Sequence, residues 1–232
     1  MTIAQFKDLC MDASDVAAQA RFWQQALGAP LVELDGGDAR LDPAAGRPAG
    51  EAIWVNGVPE PRTGDTRVHL SLRLDEPDPR GLLRAGARLV AEPGDRPWWA
   101  LADPEGNEFR AFPPLTVEPG PGPAFALVTD CRAAPELAGW WAAIVGGTVT
   151  RDEETASITG AHGFPWERWL FSPVPTPKTV KNRLHWDVQL TGPEPGALLA
   201  AGATMLRERD EQLGWWVLAD PEGNEFCAFP PR

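Results

Sequence analysis

LADPEGNEF stands at residues 101–109 and again, unchanged, at 218–226, and one residue further on each copy continues into AFPP. DPEG has the order of a type I turn: Asp to bond forward to backbone N–H groups, Pro to fix the second φ, Gly in fourth place. The Glu-Phe after it opens a strand. The correspondence spreads outward from this string. Trp98-Trp99 matches Trp215-Trp216, His69 matches His185, AGA at 85–87 matches 201–203, Phe22-Trp23 matches Trp140-Trp141, and Gly28 matches Gly146. The chain is therefore one unit written twice, over 5–114 and 123–232, around the Pro- and Gly-rich linker LTVEPGPGP at 115–123.

Each copy alternates in the same way. FKDLCM (6–11) and AFALVT (124–129) read as strands. Helices follow near 14–27 and 133–145, with Val16, Ala20, Trp23 and Leu27 at helical spacing and Gly28 and Gly146 as stops. APLVEL, AIWVN and VHLSLRL are strand-like, as are TVT, ERWLF and LHWDVQL in copy two, and GGD at 36–38 reads as a hairpin turn. Short helices are expected near 78–86 and 194–202, before RLVAE, PWWALA and NEFRAF. Strands come in runs, so no doubly wound parallel sheet is expected.

Composition narrows the function. With 232 residues and 43% hydrophobic content, the chain can bury a sizeable core. A formal charge of −12 without a Lys/Arg run argues against nucleic acid. No apolar block suits a signal peptide or membrane span, and Cys10, Cys131 and Cys227 lack CxxC spacing, so free thiols in a reducing cytoplasm are expected. Eleven Trp with no Tyr point to a core or a cavity built of indoles.

The run Asp12…Arg21-Phe22-Trp23…Leu27-Gly28, the VPEP (58–61) and VPTP (174–177) stretches before VHL and LHW, and DPEGNEF itself resemble the vicinal oxygen chelate superfamily, in its glyoxalase-like subgroup. Glyoxalase I, bleomycin-resistance proteins and extradiol dioxygenases belong to that superfamily. The resemblance covers nearly the whole chain, twice. It implies an α+β fold of two tandem domains, 1–114 and 124–232, joined by 115–123. Each would contain two βαβββ modules in a cup-shaped, mostly antiparallel sheet, with helices on the convex face and ligands in the concave one. One fold of this kind hosts many chemistries.

Strand alternation selects the residues that face the cup. His69, Ser71 and Arg73 lie opposite the apolar set of VHLSLRL, and His185, Asp187 and Gln189 opposite that of LHWDVQL. Glu108, Arg110 and Phe112 share one face, and Glu225, Cys227 and Phe229 its counterpart. If Ala102 pairs with Asn107 across the turn, Trp99 falls opposite Arg110 and Trp216 opposite Cys227. Trp54, Trp166 and Trp169 lie near or on strands expected to rim the cup. The expected ligand-binding residues are thus His69, Arg73, Trp99, Glu108, Arg110, Trp169, His185, Asp187, Gln189, Trp216, Glu225 and Cys227.

The resemblance also says where a divalent metal would sit. The first-strand His maps to His69 and His185. The closing Glu position is occupied by Arg110 and Cys227, and the opening-strand position by Gln5 and Pro123. An Arg among ligands repels a cation, so no metal and no other cofactor is expected. The reading is a small-molecule-binding protein, monomer or homodimer, that takes up an apolar or aromatic metabolite or antibiotic in the manner of bleomycin-resistance proteins. The alternative is a lyase, isomerase or dioxygenase-type enzyme with a non-standard or absent metal.

Overall fold

Alternating burial along each strand, and apolar helix faces that need covering, produce four βαβββ modules. We describe residues 2–114 and 122–231 of a computed structural model; most of the expected linker, 115–121, lies outside them. The first module runs β1 (Ala4–Ala13), α1 (Val16–Leu27), β2 (Leu31–Glu33), β3 (Ala39–Leu41), β4 (Ile53–Gly57). The second runs β5 (Val68–Arg73), α2 (Arg80–Ala85), β6 (Arg88–Ala91), β7 (Trp99–Ala102), β8 (Glu108–Phe112). The third runs β9 (Ala124–Cys131), α3 (Ala134–Val145), β10 (Thr148–Asp152), β11 (Thr155–Thr159), β12 (Arg168–Pro173). The fourth runs β13 (Leu184–Leu190), α4 (Gly196–Ala200), β14 (Thr204–Arg207), β15 (Trp216–Ala219), β16 (Glu225–Phe229).

Local signals place the elements. The Asp15 side chain accepts the Ala18 N–H at 2.9 Å and starts α1, and Gly28 ends it at φ 62°. β3 and β11 were not read from the sequence. Each is one arm of a short hairpin, at the GGD turn and at Glu153 (φ 49°), where few residues carry the alternation.

The modules combine into two eight-stranded sheets, ordered β14-β15-β16-β13-β1-β4-β3-β2 and β10-β11-β12-β9-β5-β8-β7-β6. Antiparallel pairs predominate, and β1–β4, β13–β16, β12–β9 and β5–β8 are parallel. Each sheet takes one module from each copy. The first sheet joins module one to module four through β1–β13, and the second joins modules two and three through β5–β9. The sequence repeat and the sheets therefore divide the chain differently.

The helices lie where they can serve both sheets. α1 packs on β1–β4 of the first sheet, while its Phe22 and Trp23 meet Phe109 of the second, with ring centroids 5.7 and 5.2 Å apart. α3 packs on β11 and β12, and its Trp141 meets Phe226 of the first sheet at 5.0 Å. Most helix-facing residues of both sheets share one continuous core, with a small separate cluster of Ala13, Ala20, Ala39 and Val55 beside α1.

The repeated turn fastens this arrangement. Asp103 accepts the Asn107 N–H at 2.8 Å, which closes the turn. Its other oxygen accepts from Gln19 and from the Trp23 indole (3.1 Å), both on α1. Glu105 accepts the Asp15 N–H at 2.8 Å, just ahead of α1. Copy two repeats the pattern: Asp220 accepts from Asn224 (2.9 Å) and from the Trp141 indole (3.1 Å), and Glu222 accepts from Arg132 and Ala133 before α3. Each turn precedes a strand of one sheet and holds a helix that packs on the other. At the same seam Gly163, at φ +76°, lies so close to β1 that an added Cβ would fall 2.1 Å from the Phe6 carbonyl oxygen. Only glycine fits there.

Asp103→Ala leaves buried amide and indole donors without an acceptor. It is expected to lower unfolding stability by about 2–4 kcal/mol, and Asp220→Ala should cost about as much. Urea unfolding followed by Trp fluorescence checks both.

Candidate functional site

Directly paired residues on neighbouring strands share a face. On the first sheet, Leu9, Met11, Trp186, Val188 and Phe226 face the helices and are buried in the core. The open face therefore carries their neighbours: Asp8 beside Asp187, Cys10 beside His185 and Trp54, and Cys227 beside Asp187. On the second sheet Val68, Leu70, Leu72 and Phe109 face the core, leaving His69, Ser71, Arg73 and Arg110 on the open face.

The first sheet's open face concentrates charge. Lys7 Nζ lies 2.7 Å from Asp8 Oδ2 and 3.3 Å from Asp187 Oδ2, and the Trp54 indole donates to Asp8 Oδ2 at 3.0 Å. Burial, then the charge of Asp8, pushes the Asp187 carboxyl up to about 8 against the opposing pull of Lys7. Burial works against the charge of Lys7, but Asp187 and Asp8 outweigh it and hold the ammonium above its ordinary range. Burial also raises the Cys10 thiol well above normal, with Asp187 and Asp8 adding to it, and burial with Asp187 raises Cys227. His185 is lowered by burial against the pull of Asp12. Its Nε2 lies 3.7 Å from Cys227 Sγ. Asp8 Oδ1, Asp187 Oδ1 and His185 Nδ1 are buried without a hydrogen-bond partner. The chain's three lysines all pair here: Lys7 as above, Lys178 with Glu225 at 2.6 Å, and Lys181 with Asp12 at 2.5 Å.

The second sheet's open face is largely self-satisfied. His69 sets Nδ1 3.0 Å from the Glu108 carbonyl and Nε2 3.0 Å from Asp130 Oδ2. Arg73 holds Glu167 through two bonds, at 2.6 and 2.7 Å. Arg110 is the exception. Its nearest carboxylate oxygen, Asp130 Oδ1, is 3.7 Å away, and its guanidinium lies over the Trp98 ring at 5.1 Å. Phe112 sits 5.2 Å from Trp98 and 5.3 Å from Phe125.

Three expected ligand residues stand elsewhere. Trp99 pairs with Ala111, and Ala100 lies beside Arg110, so Trp98 takes the cup position. Trp216 pairs with Ala228 and is buried in the core, which leaves Trp215 stacked on Phe229 at 5.0 Å. The turn pairs Ala102 with Glu108 rather than with Asn107, a one-residue slip that reverses both faces. Trp169 is fully buried among Trp141, Trp186 and Phe164 and donates to Thr129 Oγ1 at 2.9 Å. Gln189 donates to the carbonyls of Phe229 and Pro230, and Glu225 accepts from Lys178 and the Asn182 N–H. Lys7, Asp8 and Cys10 were missed. The alternation of DLCMD would have revealed Asp8 and Cys10 had it been applied to β1. Two surface concavities, around Arg47 and Trp166 and around Leu82 and Asp75, border the linker; of the open-face groups only Arg73 lines one of them, the second.

The glyoxalase-like domain profile matches residues 8–112 and again 126–229. The chain belongs to the glyoxalase-like domain family. This tandem glyoxalase-like protein is similar in structure to glyoxalase I from Zea mays, with a TM-score of 0.68 at 12% identity over 97% of this chain and 92% of that one. A putative dioxygenase from Bacillus subtilis subsp. subtilis str. 168 gives 0.63 at 13% identity, over 99% and 86%. At such identities the likeness is one of fold. No curated protein matches by sequence. A small-molecule-binding or enzymatic role in the vicinal oxygen chelate superfamily follows from the family. No described helix is long and apolar enough to cross a membrane.

Whether this glyoxalase-like chain suits the superfamily's metal can be tested on its donors. The second sheet does not suit one, because both His69 nitrogens are engaged and Arg110 stands at the closing position. The first sheet differs from expectation. Gln5, expected alongside His69, lies instead on the first sheet and pairs with Gln189, while His69 stands on the second. Yet Cys10, His185 and Asp187 bring ligand atoms within 4.8 Å of one another, a donor set that fits a cation. A cation so held would supply Lewis acidity to a ligand oxygen.

The two equivalent histidines differ in what they hold. His69→Ala strands an open-face carboxylate and a carbonyl and is expected to cost about 2–3 kcal/mol, with His185→Ala costing less than half of that. Chemical unfolding of the two variants in parallel reads the difference.

Proposed function

We propose that this protein binds a planar aromatic acid on the open face of the second sheet and holds it without chemical change. One observation carries the reading. Arg110 presents a guanidinium with only a 3.7 Å ion pair, beside the half-buried rings Trp98, Phe112 and Phe125. Rings offer a stacking wall, and a planar fork with free N–H groups matches a carboxylate. Binding without reaction is supported by the engagement of His69 on both nitrogens, which leaves that imidazole no free lone pair for proton abstraction. The first sheet carries a parallel arrangement, Trp215 and Phe229 with Lys7 at 4.2 Å, but Lys7 is already held by two carboxylates. Sequestration of an aromatic metabolite or antibiotic, as in bleomycin-resistance relatives, is the biological form of this proposal.

Titration with a panel of aromatic carboxylates is expected to quench Trp fluorescence saturably. Arg110→Ala and Trp98→Ala should each weaken binding about tenfold or more, equivalent to about 1.4 kcal/mol. Ligand recovered unchanged from the complex supports binding over catalysis. A panel with no quenching and no thermal shift, or an Arg110→Ala protein that binds as tightly as the parent, overturns the reading.

A further inference from the structure

We propose that Cys10, His185 and Asp187, with Cys227 as fourth donor, form a site for a thiophilic divalent ion of the zinc class on the open face of the first sheet. The site stands apart from the aromatic-acid reading, which concerns the second sheet. Only His185 and Cys227 fall at positions the superfamily pattern reserves for ligands; Cys10 and Asp187 do not.

Geometry is the first support. The Cys10, His185 and Asp187 ligand atoms lie within 4.8 Å of one another, and Cys227 Sγ is 3.7 Å from His185 Nε2. A tetrahedral zinc with Zn–S of ~2.3 Å and Zn–N of ~2.0 Å has S···N edges of roughly 3.6 Å. The Cys227–His185 separation is thus already that of a tetrahedral edge, and the edges among Cys10, His185 and Asp187 need to close by at most about 1.5 Å. They stand on β1, β13 and β16, neighbouring strands at the middle of the sheet, where Cys10 pairs with His185 and Asp187 with Cys227. Donors fixed on paired strands need little reorganisation to converge.

Unmet demand is the second support. Asp187 is 3% exposed, and its Oδ1 has no partner. His185 Nδ1 and Asp8 Oδ1 are buried and equally unmatched. A buried polar atom without a partner is costly, and three of them lie together on this face, against Arg73 Nε and Asp130 Oδ1 on the other. Two carboxylates, Asp8 and Asp187, share the single ammonium of Lys7. A dication would offset the excess negative charge.

Donor chemistry selects the ion. Two sulfurs, one imidazole nitrogen and one carboxylate oxygen suit zinc-class ions and are poor for magnesium or calcium, which need six or more oxygens. The equivalent face of the second sheet has Val128, Ser71 and Arg110 where the first has Cys10, Asp187 and Cys227. The set therefore occurs once among the described residues.

The test is metal content and spectroscopy. Protein exposed to zinc, then dialysed against metal-free buffer, is expected to retain about one zinc per chain. Loading with cobalt(II) should give thiolate-to-cobalt charge-transfer absorption in the near ultraviolet. Cys131→Ala removes the thiol outside the cluster and should leave both readouts unchanged, whereas Cys10→Ala and Asp187→Asn should lose at least tenfold in cobalt affinity. Circular dichroism confirms that each variant is folded, and Asp187→Asn serves if Cys10→Ala is not. Wild-type protein with no zinc above background, or folded variants that bind cobalt as tightly as wild type, overturns the proposal. Aromatic-acid binding is read separately at Trp98 and Arg110, so either result can fail alone.

Discussion

Two buried carboxylates, Asp103 and Asp220, hold the molecule together. Each closes a five-residue turn with one oxygen and receives a helix-borne indole N–H with the other. Burial raises both carboxyls, and the converging amide and indole donors oppose that rise. Such a group is stable only while its donors are in place. Because each turn leads into one sheet and each helix packs on the other, the pair clamps the two sheets across the shared core. This accounts for the identity of the repeated string: Asp, Asn, the two Glu-to-backbone contacts, and the Phe rings beneath the helices all serve the same junction.

With the frame secured twice over, the open faces were free to diverge. Corresponding positions hold Asp8 and Ala126, Cys10 and Val128, Asp187 and Ser71, Cys227 and Arg110. One face became acidic and thiol-rich, with every lysine of the chain drawn to its carboxylates. The other pairs its acids with arginine and histidine and leaves one guanidinium against a wall of rings. A single backbone thus presents two chemically opposed surfaces. Function in this family has to be argued from these faces, because the fold alone does not choose among chemistries.

Much of this was legible in the chain. Period-two alternation placed His69, Arg73, Glu108, Arg110, His185, Asp187 and Cys227 on strand faces opposite the apolar sets, because alternation is local geometry. The tryptophans were less legible. Trp98 and Trp99 are adjacent, so one residue of register decides which faces the cup, and the turn closed one residue away from the expected pairing. Trp169 read as a rim residue from its strand alone; the aromatic cluster of α3, β12 and β13 is visible only once the helices are in place. On β1 Asp8 and Cys10 do alternate with Leu9 and Met11, but an irregularity in the pairing between Phe6 and Asp8 breaks the period just before them, so the strand does not read as one alternating run.

By itself the sequence determined the duplicated βαβββ order, the turn chemistry, the helix boundaries and the face on which most strand residues lie, since each depends on residues near in the chain. Only the tertiary structure decided which modules share a sheet. β1 takes β13 and β5 takes β9 as central partners, pairings that no local pattern distinguishes from closure within each copy. That choice set Cys10 and Asp8 from one copy beside His185, Asp187 and Cys227 from the other. The acidic cluster is a property of strands brought together over more than 170 residues of chain, and so it appears in neither copy read alone.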